Sequence, residues 1–414
     1  MNEKLRIIGE NADEAKYELQ NMSTEDKNKV LEAVAADLVM NADGIIEKNS
    51  IDYENGKSKG MSDGLLDRLL LTVDRIKAMS EGLIEVIALE DPTNKVLDKT
   101  IRSNGLIIKK VSVPLGVIGM IYESRPNVTC DAFGLCFKAG NAVILKGGSD
   151  AINSNIAITN SIRGTLKKLN LNENFIQLIE DTSRETTAEF MKMKDYIDVL
   201  IPRGGAGLIA AVVSNSTVPV IETGTGNCHV YVDKSANFEM ATNIIINAKT
   251  QRTGVCNACE SLVIHKDIAS EYLPIIVEAL KAKNVMIYAD DMTCKIVDVL
   301  MATEEDYGKE YLDLIISIKV VDSIENAIRH INKYNTKHSD VIVTDDKEEA
   351  MKFLNGVDSA CVYWNASSRF SDGFEFGLGA EIGISTQKIH ARGPMGLKEI
   401  TSYKYVIEGE GQTR

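Results

Sequence analysis

The stretch GLIIKKVSVPLGVIGMIYE, residues 105–123, is where this chain changes character. β-branched runs broken by Pro114 and by glycines mark the start of strands. Upstream the pattern is helical. STEDKNKVLEAVAADLV (23–39) opens on a Ser23 cap with Asp26 three residues on, and LLDRLLLTVDRIKAMSEGLIEVIAL (65–89) carries the helical spacing on to the break at LEDPTN. Downstream, strand and helix alternate. NAVILKGG (141–148) reads as a strand ending in glycines, SNIAITNSIRGTLKKL (154–169) as a helix and FIQLIE (175–180) as a strand. The rhythm continues through KDYIDVLIPRGGAGLIAAVVSNS (194–216) and VPVIETGTGNCHVYVD (218–233). Such alternation with short loops predicts a parallel, doubly wound α/β sheet. A second set, SLVIHKD, EYLPIIVEALKAK, IISIKVVD, SIENAIRHINKY and SDVIVTDD, predicts a second α/β lobe between residues 261 and 346.

Length and charge narrow the function. A chain of 414 residues can bury large cores and is expected to form two or three domains. A net charge of −14 argues against nucleic acid as partner, so a small-molecule ligand is expected. The opening MNEKLRIIGENADEA has no apolar signal core, and no stretch is long enough to span a membrane, which predicts a cytoplasmic protein without membrane contact. Seven cysteines, an odd number spread from Cys130 to Cys361, do not form a secreted disulfide pattern, so reduced thiols are expected.

Ligands in such folds bind at strand carboxyl ends, where glycine-rich turns expose backbone N–H groups at helix starts. ILKGGS (144–149), IPRGGAG (201–207) and IETGTGN (221–227) fit that description, although none is a G-x-G-x-x-G fingerprint. Lys146 stands where an acid would read an unphosphorylated ribose, which favours the 2′-phosphorylated dinucleotide, NADPH, as cofactor.

KTQRTGVCNACE (249–260) places Cys256 and Cys259 three apart between a helical run and a strand. A zinc clip would recruit Cys228 and His229, but these are neighbours in a strand and should face opposite ways, so no metal is expected. A redox pair normally follows a strand and opens a helix, the reverse of the order here. What remains is one catalytic thiol with a buried bystander, or two small buried fillers.

The order ETGTGN then QRTGVCNACE, with Glu222 and Cys256 34 positions apart, resembles the paired glutamate and cysteine of the aldehyde dehydrogenase superfamily. PLGVIGMIYESRPNVT, IDVLIPRGG, NCHVYVD, AIRHINKYNTKHSDVIV and HARGPMGL are similar to its γ-glutamyl phosphate reductase branch, from about residue 5 to the C-terminus. One departure is Asn335, where that branch usually has a small Gly or Ser. The resemblance implies an aldehyde dehydrogenase-like α/β fold. Its parts would be a Rossmann-like NADPH-binding domain (1–98 and 116–232), an α/β catalytic domain (233–395) and a small β oligomerisation arm (99–115 and 396–414). The arm would pair with another subunit in a homodimer or homotetramer.

The same resemblance implies reduction of L-glutamate 5-phosphate to L-glutamate 5-semialdehyde, with glutamate 5-kinase upstream as a transient contact. Cys256 takes the nucleophile's place and Cys259 becomes the bystander; Asn127, with the Cys256 N–H, would hold the oxyanion. Glu222 matches the residue that activates the deacylating water in aldehyde dehydrogenases, and here would only tune the thiol. Lys146, Gly147 and Ser149 match the adenosine-ribose site, Gly204 and Gly205 the pyrophosphate turn, and Glu310 the residue that holds the nicotinamide ribose; Gly224 joins them as a cofactor contact. Arg125, Ser385 and Arg392 are candidates for the substrate's α-carboxylate and phosphate. Two other readings stay open. A hydrolytic NAD(P)-dependent aldehyde dehydrogenase would need no phosphate, and a non-catalytic nucleotide-binding protein would tolerate loss of Cys256.

Overall fold

The computed structural model describes residues 2–414, which divide into two compact units. The first comprises the described residues up to Thr223, with Gly377–Gly383 and Met395–Arg414. The second comprises Gly224–Phe376 and Ile384–Pro394.

The first unit opens on helices Glu3–Gln20, Thr24–Met40, Ala42–Ser58, Asp63–Leu69 and Val73–Ala88. Ser23 caps the second as its sequence requires, accepting from the Asp26 N–H. The helical run expected over 65–89 is broken, because Leu70 turns extended and Thr72 caps a new helix by accepting from the Arg75 N–H. Buried Asn49 takes up the backbone groups freed there, donating to the Leu69 carbonyl at 2.8 Å and accepting from the Leu71 N–H at 2.7 Å.

Four parallel strands follow, side by side in the order Ile176–Leu178, Ala142–Gly147, Val117–Tyr122 and Val199–Arg203. Every residue of the two central strands is buried, so they read as unbroken apolar runs rather than alternating ones. Leu5, Val117, Ile144, Phe190 and Leu200 form part of the core between this sheet and the helices. A separate antiparallel sheet joins Val96–Ile101 to Ile107–Pro114 and that strand to Thr401–Glu408. This sheet overlaps the segments expected as an arm, and its first strand is exposed along its whole length.

The second unit is a seven-stranded parallel sheet. Its strand order is Leu300–Met301, Met286–Ala289, Ile315–Val321, Cys259–His265, Cys228–Val232, Ser339–Val343, Cys361–Trp364. The boundary expected at 232/233 falls instead after Thr223, because Cys228–Val232 pairs with Cys259–His265 and Ser339–Val343 in the middle of this sheet. The block expected as 233–395 is likewise interrupted, since Gly377–Gly383 belongs to the first unit. Among the described residues no helix is long and apolar enough to cross a membrane.

Candidate active site

In the first unit the predicted cofactor residues lie at strand carboxyl ends, as expected. Lys146 and Gly147 end the strand Ala142–Gly147, and Ser149 begins the short helical turn that leads into Ile152–Lys168. A Cβ on Gly147 would meet Asn155 Nδ2 at 2.2 Å, so any other residue requires the Asn155 amide to move. The Lys146 ammonium is buried and donates to the Gly147 carbonyl at 3.3 Å; burial pushes its pKa down, against the opposing charge of Asp181. Asp181 is held down to about 2 by hydrogen bonds from Thr186 and Ser183.

Gly204 and Gly205 follow the strand Val199–Arg203 and open the helix Ala206–Asn215. The Gly205 N–H donates to Glu123 Oε2 at 3.0 Å, and a Cβ on Gly204 would meet that same oxygen at 2.5 Å. This helix start therefore already accepts an anionic oxygen, one the sequence reading missed. Glu123 reaches it from a turn in which Ser124 adopts the left-handed φ of 37°.

Asn127 begins the helix Asn127–Lys138, exposed, and its amide donates to Asp131 Oδ2 at 2.9 Å. Burial pushes the Asp131 carboxyl up to about 6, opposed by the Asn127 bond and the Arg203 charge. Arg125 is half-buried in the preceding turn. Glu222 is half-buried in an extended segment that the Ile221 N–H and the Thr223 hydroxyl fasten to Leu200 and Pro202, at 2.9 and 2.6 Å.

The second unit departs from the carboxyl-end rule. Cys256 lies in the loop between the helix Phe238–Thr250 and the strand Cys259–His265, and the glycines of 224–226 precede Cys228–Val232, so both stand at the amino ends of paired strands. Buried ions close that loop. Lys249, in the last turn of the helix, meets Glu260 at 2.5 Å, and both side chains are fully buried. Glu260 also accepts from the Leu312 N–H at 3.3 Å, and burial pushes its carboxyl up to about 7.

Against this loop lies Gly226. A Cβ there would sit 1.4 Å from the Cys256 carbonyl oxygen, so nothing larger fits without moving the Cys256 backbone. The Gly226 N–H donates to Glu310 Oε1 at 2.7 Å, and Cys228 Sγ donates to the Cys256 carbonyl at 3.2 Å. Gly224 donates its N–H to the Ile384 carbonyl at 3.0 Å, and a Cβ on it would strike Thr386 Cγ2 at 2.3 Å. The structure thus brings Gly224, Cys256, Glu310 and the segment carrying Ser385 onto one loop. Ser385 itself is fully buried. Arg392 is turned to Asp358, which it meets at 2.7 Å, and Asp358 also receives Lys388 at 2.8 Å. Asn335, the departure noted above, accommodates its turn in an extended conformation (φ −67°), with its amide donating to Asp340 and Ser359 at 2.9 Å.

The cysteines separate cleanly. Cys259 is the first residue of its strand, fully buried, and burial pushes its thiol up to about 12. Cys228 is raised well above its ordinary value for the same reason. Cys256 alone of the three is partly exposed, and no disulfide joins any cysteine among the described residues. His229 is turned to Asp340, with its Nδ1 3.1 Å from the carboxylate.

Cys256 is thus a half-buried loop thiol with Gly226 against its backbone and the Glu310 segment bonded to that glycine. A model of the aldehyde dehydrogenase family matches residues 2–296. The chain belongs to the aldehyde dehydrogenase family. The chain is 58% identical to a curated γ-glutamyl phosphate reductase of Lachnospira eligens over the whole length of both. A second, from Clostridium botulinum, is 57% identical across 99% of this chain and all of its own. The crystal structure of the γ-glutamyl phosphate reductase of Thermotoga maritima superposes with a TM-score of 0.98 at 48% identity, covering all of both chains. Within this aldehyde dehydrogenase fold the α/β reading of the sequence holds for both units.

The buried ion pair makes the first prediction. Lys249→Met or Glu260→Gln alone should lower stability by about 3–5 kcal/mol, because either leaves a buried polar group without its partner. The double substitution Lys249→Met, Glu260→Leu should lose less than either single change. Urea unfolding monitored by fluorescence reads both, and a single-substitution loss below about 1 kcal/mol would reduce the pair to the worth of a surface ion pair.

Proposed function

We propose that this chain reduces L-glutamate 5-phosphate to L-glutamate 5-semialdehyde with release of phosphate, using Cys256 as nucleophile and NADPH as reductant. The observation that carries the reading is the full-length identity to reductases of that name, in a chain whose one partly exposed thiol of the Cys228, Cys256 and Cys259 cluster holds the loop position.

An acyl phosphate is an activated acyl donor. The Cys256 sulfur attacks its carbonyl carbon, the carbon–oxygen bond to phosphate breaks, and the electron pair leaves with phosphate, so that a thioester forms on the enzyme. Bound NADPH would supply the hydride that takes this thioester to the aldehyde level. Cys256 is then released as the carbon–sulfur bond breaks. The negative oxygen formed at each carbonyl step is assigned to Asn127, whose amide keeps one N–H beyond the Asp131 bond, and to the Cys256 N–H. Glu222 has no hydrolytic step to serve in this reaction.

A nicotinamide cofactor belongs to the family, and the first unit's turns suit it. The Gly205 N–H, at a helix start, already bonds an anionic oxygen at 3.0 Å. Lys146, Gly147 and Ser149 are assigned to the adenosine ribose and its phosphate, Gly204 and Gly205 to the pyrophosphate, and Gly224 and Glu310 to the nicotinamide side. By this reading the first unit is the cofactor domain and the second the catalytic one. The arm is assigned to self-association, because Ile101, Tyr405 and Ile407 are 60–66% exposed on its strands.

Semialdehyde oxidation by NADP⁺ should require inorganic phosphate. Cys256→Ala should lower it by roughly four orders of magnitude or more, whereas Cys259→Ala and Glu222→Gln should keep most of it. Oxidation without phosphate that collapses in Glu222→Gln would instead mark a hydrolytic dehydrogenase. For the cofactor, kcat/KM should favour NADPH over NADH, and Lys146→Ala should narrow that preference by roughly tenfold; equal use of NADH by the parent would sink the Lys146 assignment. Light scattering should find a dimer or tetramer that Ile407→Lys shifts toward monomer, and a monomeric parent protein would remove the arm's assigned role.

A further inference from the structure

Arg252 stands four residues before Cys256, and the sequence reading assigned it nothing. A second arginine is brought to the same loop by the fold. The segment Ser367–Ser371 is fastened to Asn257, the residue after the nucleophile. Asn257 Nδ2 donates to the carbonyls of Arg369 and Ser371 at 3.3 and 2.9 Å, and the Ser368 hydroxyl donates to the Asn257 carbonyl at 2.7 Å. The Arg369 side chain runs back along the loop, its Nε donating to Gln251 Oε1 at 3.0 Å, next to Arg252.

Among the described residues neither Arg252 nor Arg369 has a carboxylate in ion-pair contact, whereas Arg392 of the same unit is taken up by Asp358. The charged side chains acting on Arg369 are Arg252 and Asp372, and the Cys256 thiol is near enough to act on it as a thiolate. Burial and the like charge of Arg252 both push its pKa down, while Asp372 opposes them from beyond ion-pair distance. In a chain of net charge −14, two cations left facing each other beside a nucleophile are stabilised once an anion lies between them.

We propose that Arg252 and Arg369 bind the phosphate that leaves the acyl carbon, and the inorganic phosphate that attacks the thioester in the reverse direction. Guanidinium forks match phosphate oxygens two at a time, and the charge they meet grows as the carbon–oxygen bond breaks and its electron pair passes to phosphate. No proton need move in that step. The proposal rests on the phosphorylating reaction above and adds the residues that recognise its leaving group.

Two measurements test it. In the protein without cofactor or substrate, inorganic phosphate should slow iodoacetamide alkylation of Cys256, followed by mass spectrometry, and the double substitution Arg252→Ala, Arg369→Ala should abolish the protection. In semialdehyde oxidation, Arg252→Ala and Arg369→Ala should each raise KM for phosphate by roughly tenfold or more while leaving KM for semialdehyde within about twofold, with Arg369→Lys recovering part of the loss. Unchanged phosphate KM overturns the proposal. So does a rise confined to the semialdehyde KM, which would place the substrate's carboxylate there instead. Arg252 is exposed, so its substitution tests the idea even where replacing half-buried Arg369 disturbs folding. Phosphate-independent oxidation would defeat the proposed reaction itself, a result separate from any effect of the arginines.

Discussion

The buried contact between Lys249 and Glu260 is the constraint on which the loop of Cys256 in the second unit depends. It joins the end of a helix to the start of a strand, and the residues between have no regular structure of their own to hold them. Its second oxygen accepts from Leu312, a residue in the left-handed region (φ 55°) two positions after Glu310. One carboxylate therefore fixes both the Cys256 loop and the segment whose Glu310 reaches the Gly226 N–H. Burying two charges is expensive, and well-packed apolar residues could hold a helix to a strand as firmly. What apolar residues cannot do is bond a backbone N–H of a neighbouring segment. The ion pair earns its place by that third contact.

The first unit handles charge differently. Glu123 is exposed, and a carboxylate at a helix start is worth only about 0.3–1 kcal/mol. A cofactor pyrophosphate proposed for that turn carries more charge and more acceptor oxygens, so it would displace Glu123 easily. The glycines are less forgiving. A Cβ at Gly147 or Gly204 would collide with Asn155 or Glu123, and at Gly226 with backbone, which cannot swing aside as a side chain can. Glycine at 226 is thus a condition on the nucleophile's position, whereas at 204 it is mainly a condition on the turn.

Local features were legible in the sequence where one element decides them. The Ser23 cap, the strand Ala142–Gly147, the helix Ile152–Lys168 and the amino-end placement of Cys259 follow from neighbours within a few residues. The break at Leu70 was hidden because the residue that absorbs it, Asn49, is twenty positions away. The strand Cys228–Val232 was read into the wrong unit, since hydrophobic alternation shows that a strand exists without showing which sheet completes it. Lys146, Gly147 and Gly204 stand at strand carboxyl ends, where ligands gather in such folds, whereas Cys256, Gly226 and Glu310 precede their strands. Glu123 and Arg369 left no local signal, because their partners lie 82 and 118 positions off.

The proposal of Cys256 as nucleophile, among three neighbouring thiols, rests on which of them the sheet swallows. Cys228 and Cys259 face each other across paired strands, and burial holds both as thiols at any ordinary pH. Cys256 is three residues outside the ladder, where its carbonyl accepts from Cys228 and its backbone is pressed by Gly226. Cys259 could not take over the role proposed for Cys256, because no carbonyl carbon could reach a side chain enclosed on the first rung of a parallel sheet. Where the strand begins thus decides which of the two cysteines stays in the loop and which enters the core.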